Sequence, residues 1–129
     1  MRKESHIFDL LKHWASLSDP EIKHLASAEN ISVLEEIVDL LGDPLVQYNI
    51  HDDNFVKVVR DMRNLYTVGS RALGAAIIEA SDWVDKGQTG KAIDIYKGFL
   101  ESCASKFYRK IAQSQLNKLQ NLESGDSRT

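Results

Sequence analysis

The sequence is poor in the residues that interrupt or staple a fold. It has one cysteine in 129 residues, Cys103, which excludes an internal disulfide and points to a reducing compartment, the cytoplasm. Two prolines and seven glycines are too few for a many-turned β fold and favour long helices. No apolar run approaches the roughly 20 residues a membrane helix needs. The opening Met1-Arg2-Lys3-Glu4-Ser5-His6 lacks the apolar stretch of a signal peptide, so no membrane partner is expected. Basic residues are missing where acids gather. From Glu29 to Asp53 there are seven acids and no Lys or Arg, while the rest of the chain has 12 acids against 16 bases. A net charge of −3 thus hides a mildly basic protein with one acidic segment, without the basic balance of a nucleic-acid binder.

What the chain has is apolar content, at 43%, and period. Phe55, Val59, Met62, Tyr66, Gly69, Leu73, Ala76, Ala80, Trp83 and Gly87 alternate steps of four and three, one helix face repeating every 3.5 residues. Ile93, Tyr96, Leu100, Cys103, Phe107 and Ile111 repeat it, loosening to Gln115 and Leu119. Gly87-Gln88-Thr89-Gly90 separates the two runs. The expectation is an all-α helical bundle built on a long antiparallel hairpin, residues 54–86 and 90–122, with shorter N-terminal helices packed against it. The single helical domain covers residues 1–123, with a flexible tail at 124–129. Unbroken arms of about 33 residues would each be roughly 50 Å long, too long for a domain whose radius of gyration should be about 14 Å. A bend or break is therefore expected at Gly69-Ser70 or at Ser102 to Ser105.

Ahead of the hairpin, Ile7, Leu10, Leu11, Trp14 and Leu17 predict a helix over residues 5–17. Ser18 and Glu21 form a capping box around Pro20 and open a short helix to about Ser27 that buries Ile22 and Leu25. Ser32 and Glu35 form a second box, opening a helix with Leu34, Ile37, Val38 and Leu41 inward and Glu35, Asp39 and Asp43 in an outward row beside Glu36. Gly42 suits a left-handed helix end. Leu45 to Ile50 is read as a helical turn or an extended segment, and Asp52, Asp53 and Asn54 as caps for the first arm.

Three separated motifs in the second half carry a resemblance. Gly69-Ser70-Arg71-Ala72-Leu73-Gly74, Gly87-Gln88-Thr89-Gly90-Lys91-Ala92 and Tyr108-Arg109-Lys110-Ile111-Ala112-Gln113-Ser114-Gln115-Leu116 together resemble the DUSAM domain, a small bacterial domain, over about residues 55–119. The resemblance implies a helical fold and supplies no catalytic residues. Ala80, Trp83, Gly87, Ala92 and Tyr96 also resemble one tetratricopeptide unit. No second copy follows at 34 residues, so Ala80 and Ala92 are read as small residues that let two helices approach.

No cluster of residues announces a reaction, and the protein is expected not to be an enzyme and to need no cofactor or metal. Glu21-Ile22-Lys23-His24 is one half of a di-iron bundle signature without its other half. His51-Asp52-Asp53 are adjacent residues that converge poorly on one ion. Cys103 falls on the apolar seam with no histidine in the second half to activate it, so it is read as core. Lys106, Arg109, Lys110 and Lys118 interleave with Phe107 and Tyr108, a pattern of single-strand binders set against an acidic overall balance. Glu79, Asp82 and Asp85 line the first arm near the turn.

The best clue is the acidic segment. Ordinary surfaces intersperse signs, whereas Glu35, Glu36, Asp39, Asp43, Asp52 and Asp53 have no basic neighbour in sequence. They are the expected partner-binding residues, with Glu79, Asp82 and Asp85 as second choice. In character the chain looks like a bacterial immunity protein of contact-dependent growth inhibition: small, cytoplasmic, non-catalytic and locally acidic. The expected partner is a cognate toxin with a basic nuclease domain. The alternative is a helical adaptor that holds a partner helix. Whether the chain is a monomer or a dimer is left open by the sequence.

Overall fold

A computed structural model describes residues 3–123. Among them there are six helices and no strand, and 78% are helical. The protein is all-α. The tail expected at residues 124–129 lies outside the described residues. The chain divides into two compact units, Met1–Thr67 and Val68–Thr129.

The first unit holds α1 (Glu4–Ala15), α2 (Asp19–Lys23), α3 (Ala28–Leu41) and the beginning of α4 (Phe55–Asp85). Its core joins Ile7, Phe8, Leu11 and Trp14 of α1 to Ile22, to Val33, Leu34, Ile37 and Leu41 of α3, and to Phe55, Val58, Val59 and Met62 of α4. The rings of Trp14 and Phe55 meet at 5.7 Å and those of Phe8 and Tyr66 at 5.2 Å, both tilted, the arrangement their quadrupoles favour. The Ser18 box forms as expected. The Ser18 hydroxyl accepts from the Glu21 N–H, and the Glu21 carboxylate accepts from the Ser18 N–H at 3.0 Å. α2 ends at Lys23, so the chain reaches Ser27 free to cap α3.

That corrects the second box. α3 starts five residues earlier than expected, with the Ser27 hydroxyl accepting from the Asn30 N–H and the Asn30 amide donating back to the Leu25 carbonyl. Ser32 is consequently inside the helix. Gly42 is not left-handed either: its φ is −75°. It is needed for close approach, because a Cβ there would lie 2.8 Å from the Val38 carbonyl oxygen and 3.2 Å from the Tyr48 ring. Leu45 to Ile50 forms neither helix nor strand, and Leu45 stands 93% exposed on a turn in which Asp43 accepts from the N–H of Leu45 and of Val46. Asn54 closes the loop backwards, accepting from the His51 N–H and donating to the Asn49 carbonyl.

In the second unit α4 continues to Asp85 and is followed by α5 (Thr89–Ser102) and α6 (Lys106–Glu123). Gly87, at φ +76°, supplies the left-handed residue of a Schellman turn. Gln88 N–H bonds to Trp83 C=O and Gly87 N–H to Val84 C=O, which ends α4 and reverses the chain. The hairpin's closed end is therefore where the sequence puts it. Its second arm is not one helix. The helix breaks at 103–105, one of the two candidate places, and α6 folds back along α5, so that Glu123 at its end comes beside Gly90 at the start of α5. Arg109 fastens the break by donating to the Leu100 and Cys103 carbonyls.

The break resets the helical phase. Tyr108, Ala112 and Leu116 are buried in α6, while Phe107, Ile111, Gln115 and Leu119, one position out of register, are only half-buried. Cys103 is half-exposed at the break, which corrects its reading as core. The other candidate break does not occur. α4 runs through Gly69-Ser70 without interruption, and Gly69 is small because the Tyr108 ring lies on it, its hydroxyl 2.7 Å from that of Ser70.

Candidate protein-binding surface

Residues of α1 and α3 enclose an open groove of about 390 Å³ in the first unit. Its walls are Glu4 and Ile7 of α1 and Ser32, Glu35, Glu36, Asp39 and Leu40 of α3. The geometry follows from the two periodicities. α3 turns Val33, Leu34, Ile37 and Leu41 to the core, which leaves Glu35 and Asp39, four residues apart, on one line outside. α1 packs beside α3, and this brings Glu4 and Ile7 of its first turns to the same groove. Ile7 is buried and Leu40 half-buried, so the floor is apolar and the rim acidic. A groove of that kind suits a long cationic side chain, whose methylenes lie on the floor while its head meets carboxylates.

Only part of the expected acidic set is brought together. Glu35, Glu36 and Asp39 line the groove; Asp43, Asp52 and Asp53 do not. Asp43 follows α3 and its carboxylate serves the Leu45 turn, and Asp52 and Asp53 are exposed in the turn before α4. Glu79, Asp82 and Asp85 are exposed on the last turns of α4, in the other unit. Glu4 was missed by sequence reasoning, because its place depends on which helix packs beside α3, and no local pattern carries that information.

The remaining candidates lose ground. Among the described residues no group of three or more His, Cys, Asp or Glu is arranged to hold a metal ion. The Glu21 carboxylate is engaged at the α2 cap. The bonds it accepts from Ser18, backbone first and hydroxyl second, hold its pKa below the usual carboxylate value. In the basic stripe, Tyr108 is 2% exposed, which withholds its face from a stacking base, and Arg109 holds carbonyls of its own chain.

A second recess of the first unit was not foreseen. Lys12, Ala15 and Ser16 of the α1 end face Arg60, Arg63, Asn64 and Thr67 of α4 around about 460 Å³. Its cations are largely committed. Arg60 donates to the Ala15 and Leu17 carbonyls at 2.5 and 2.9 Å and to Asp19 at 2.8 Å, Arg63 donates to the Thr67 hydroxyl, and Lys12 and Arg63 lie 5.1 and 5.6 Å from the centre of the Tyr66 ring. Ring and backbone contacts of this kind explain the cluster as a clamp between α1 and α4.

No protein-family model, curated protein or solved structure matches the chain.

Proposed function

We propose that the protein works by binding another protein through the α1–α3 groove, and that it is an immunity protein for a bacterial toxin with a basic nuclease domain. The observation that carries this reading is the composition of the groove: an apolar floor at Ile7 and Leu40 under a rim of Glu4, Glu35, Glu36 and Asp39. Carboxylates spaced along a helix can take the Lys and Arg side chains that a nuclease uses to hold phosphates, so occupying them blocks access of nucleic acid. Opposite charge also speeds the encounter, which suits an inhibitor that must arrive before damage is done. The DUSAM-like resemblance of residues 55–119 falls outside the groove and implies a helical fold, not a partner.

The test is a charge reversal. Glu35→Lys with Asp39→Lys should leave the helical spectrum and melting close to wild type, since both side chains are exposed on α3. It should abolish protection of cells that express the toxin encoded beside this gene, and slow association with the purified toxin domain at low salt. Full protection at an unchanged low-salt association rate overturns the reading.

A further inference from the structure

The clamp between α1 and α4 engages its donors but cancels only one of its three charges. Arg60 is the neutralised one, donating to Asp19 and to the carbonyls of Ala15 and Leu17. Lys12 and Arg63 are held differently. Both lie over the Tyr66 ring, and Arg63 also donates to the Thr67 hydroxyl. Among the described residues neither forms an ion pair. A ring face and a hydroxyl position a cation without cancelling its charge. Lys57, earlier on α4, shows the contrast: it pairs with Asp61 at 2.7 Å.

The recess that these cations line is open and about 460 Å³, a size that takes a small molecule. Its residues recur at helical spacing, 12, 15 and 16 on α1 and 60, 63, 64 and 67 on α4, so it runs where the two helices lie side by side. The exposed Asn64 amide adds a neutral donor. Apart from Ala15 the described lining is polar, which disfavours a hydrophobic ligand. The end of α1 would by itself oppose an anion, because the last carbonyls of a helix carry its negative pole. Donors mask them here: Arg60 takes the carbonyls of Ala15 and Leu17, and the Ser16 hydroxyl takes that of His13.

We propose that this recess binds the phosphate group of a small molecule, with Lys12 and Arg63 as its charge partners, Asn64 as a neutral donor and Arg60 as the residue that fixes the spacing of the helices. A phosphate dianion matches the two charges left uncancelled. The guanidinium fork of Arg63 suits two of its oxygens, and the Lys12 ammonium meets a third as a point charge. The Tyr66 ring that carries both cations is itself packed on Phe8 at 5.2 Å, so the two heads are placed before the ligand arrives and little ordering remains to be done on binding. The site lies within the first unit and uses none of the residues that line the α1–α3 groove, so it stands or falls apart from the toxin-binding reading.

The test is titration of the full chain at low salt with inorganic phosphate and with pyrophosphate, followed by the shifts of its amide resonances. One saturable site should appear at residues 12–16 and 60–67, with a Kd on the order of 0.1–1 mM, the strength that a few charge-assisted bonds in an open recess give. Lys12→Gln and Arg63→Gln should each weaken pyrophosphate about tenfold, and Lys12→Arg should keep it. Lys12 is exposed, so its variants should retain the helical spectrum. Lys57→Gln removes an equal charge from the same helix outside the recess and should change binding by less than about twofold. Three results would overturn the proposal. One is no saturable shift up to about 10 mM of either anion. Another is binding that is indifferent to Lys12→Gln and Arg63→Gln, or as sensitive to Lys57→Gln as to them, which is general attraction and not a site. The third is an oligothymidylate that shifts the same resonances at lower concentration than pyrophosphate, which would assign the recess to a nucleic-acid backbone.

Discussion

Gly69 shows how far single residues can be read without their neighbours. In the sequence it is a flexible point in a long helix; in the protein it is a seat for the Tyr108 ring, and a Cβ there would lie 2.5 Å from Cδ2. Gly69→Ala should therefore destabilise by about 1–3 kcal/mol, because Tyr108 is 2% exposed and has no room to yield. That outweighs the roughly 1 kcal/mol alanine gains in a helix. Gly98, exposed in α5 with nothing within 4 Å of its missing Cβ, should show the opposite sign, gaining about 0.5–1 kcal/mol as alanine. Urea titrations of the two variants check both. Glu21 makes a pH-dependent prediction. Its pKa is lowered in the folded state, so its contribution is present above the unfolded carboxylate value of about 4.5 and fades as pH falls through the lower, folded value. Wild type and Glu21→Gln should differ in melting temperature at neutral pH and converge in acid. This residue was legible because a capping box is a local pattern with a local partner.

Between neighbouring turns the sequence is most informative, and between helices least. Six of the ten first-arm seam positions, Phe55, Val59, Met62, Leu73, Ala76 and Ala80, are buried, while Tyr66, Gly69 and Trp83 are half-buried and Gly87 is exposed in the turn. Leu73→Asp should lower stability by more than about 3 kcal/mol, seen as a lost or sharply lowered thermal transition, because an unpaired charge enters the core of the second unit. Two helix starts were a matter of competition. Ser27 and Ser32 both precede apolar periodicity, and the earlier one wins because Asn30 adds a second bond to Leu25. The second-arm seam held at Ile93 and Tyr96, loosened at Leu100 and Cys103, which are half-buried, and was out of register in α6, because each helix keeps its period while the three-residue break shifts its phase. Arg60 was not foreseen at all, since its partners are carbonyls more than 40 residues away. Arg60→Ala should cost about 1.5–3 kcal/mol through the two part-buried bonds to Ala15 and Leu17. The exposed Asp19 pair adds little, so Asp19→Asn should melt nearly as wild type in the same assay.

At the scale of the molecule, charge is legible as a run along the chain but not as a surface. Seven acids between Glu29 and Asp53 read as one patch, and folding divides them: Glu35, Glu36 and Asp39 join Glu4 around a groove, Asp43 ties a turn, and Asp52 and Asp53 sit at the entrance to α4. The second-choice acids are divided from these again, in the other unit. The surface that results is acidic over an apolar floor. It should respond steeply to salt, because its attraction for a basic partner is screened within a Debye length of about 8 Å at physiological ionic strength. Glu35→Lys with Asp39→Lys should therefore slow toxin association at low salt and change it little at high salt, with the helical spectrum unchanged. Association equally slow at both salt concentrations would mean that the two carboxylates act by contact within the complex and not by attraction at a distance.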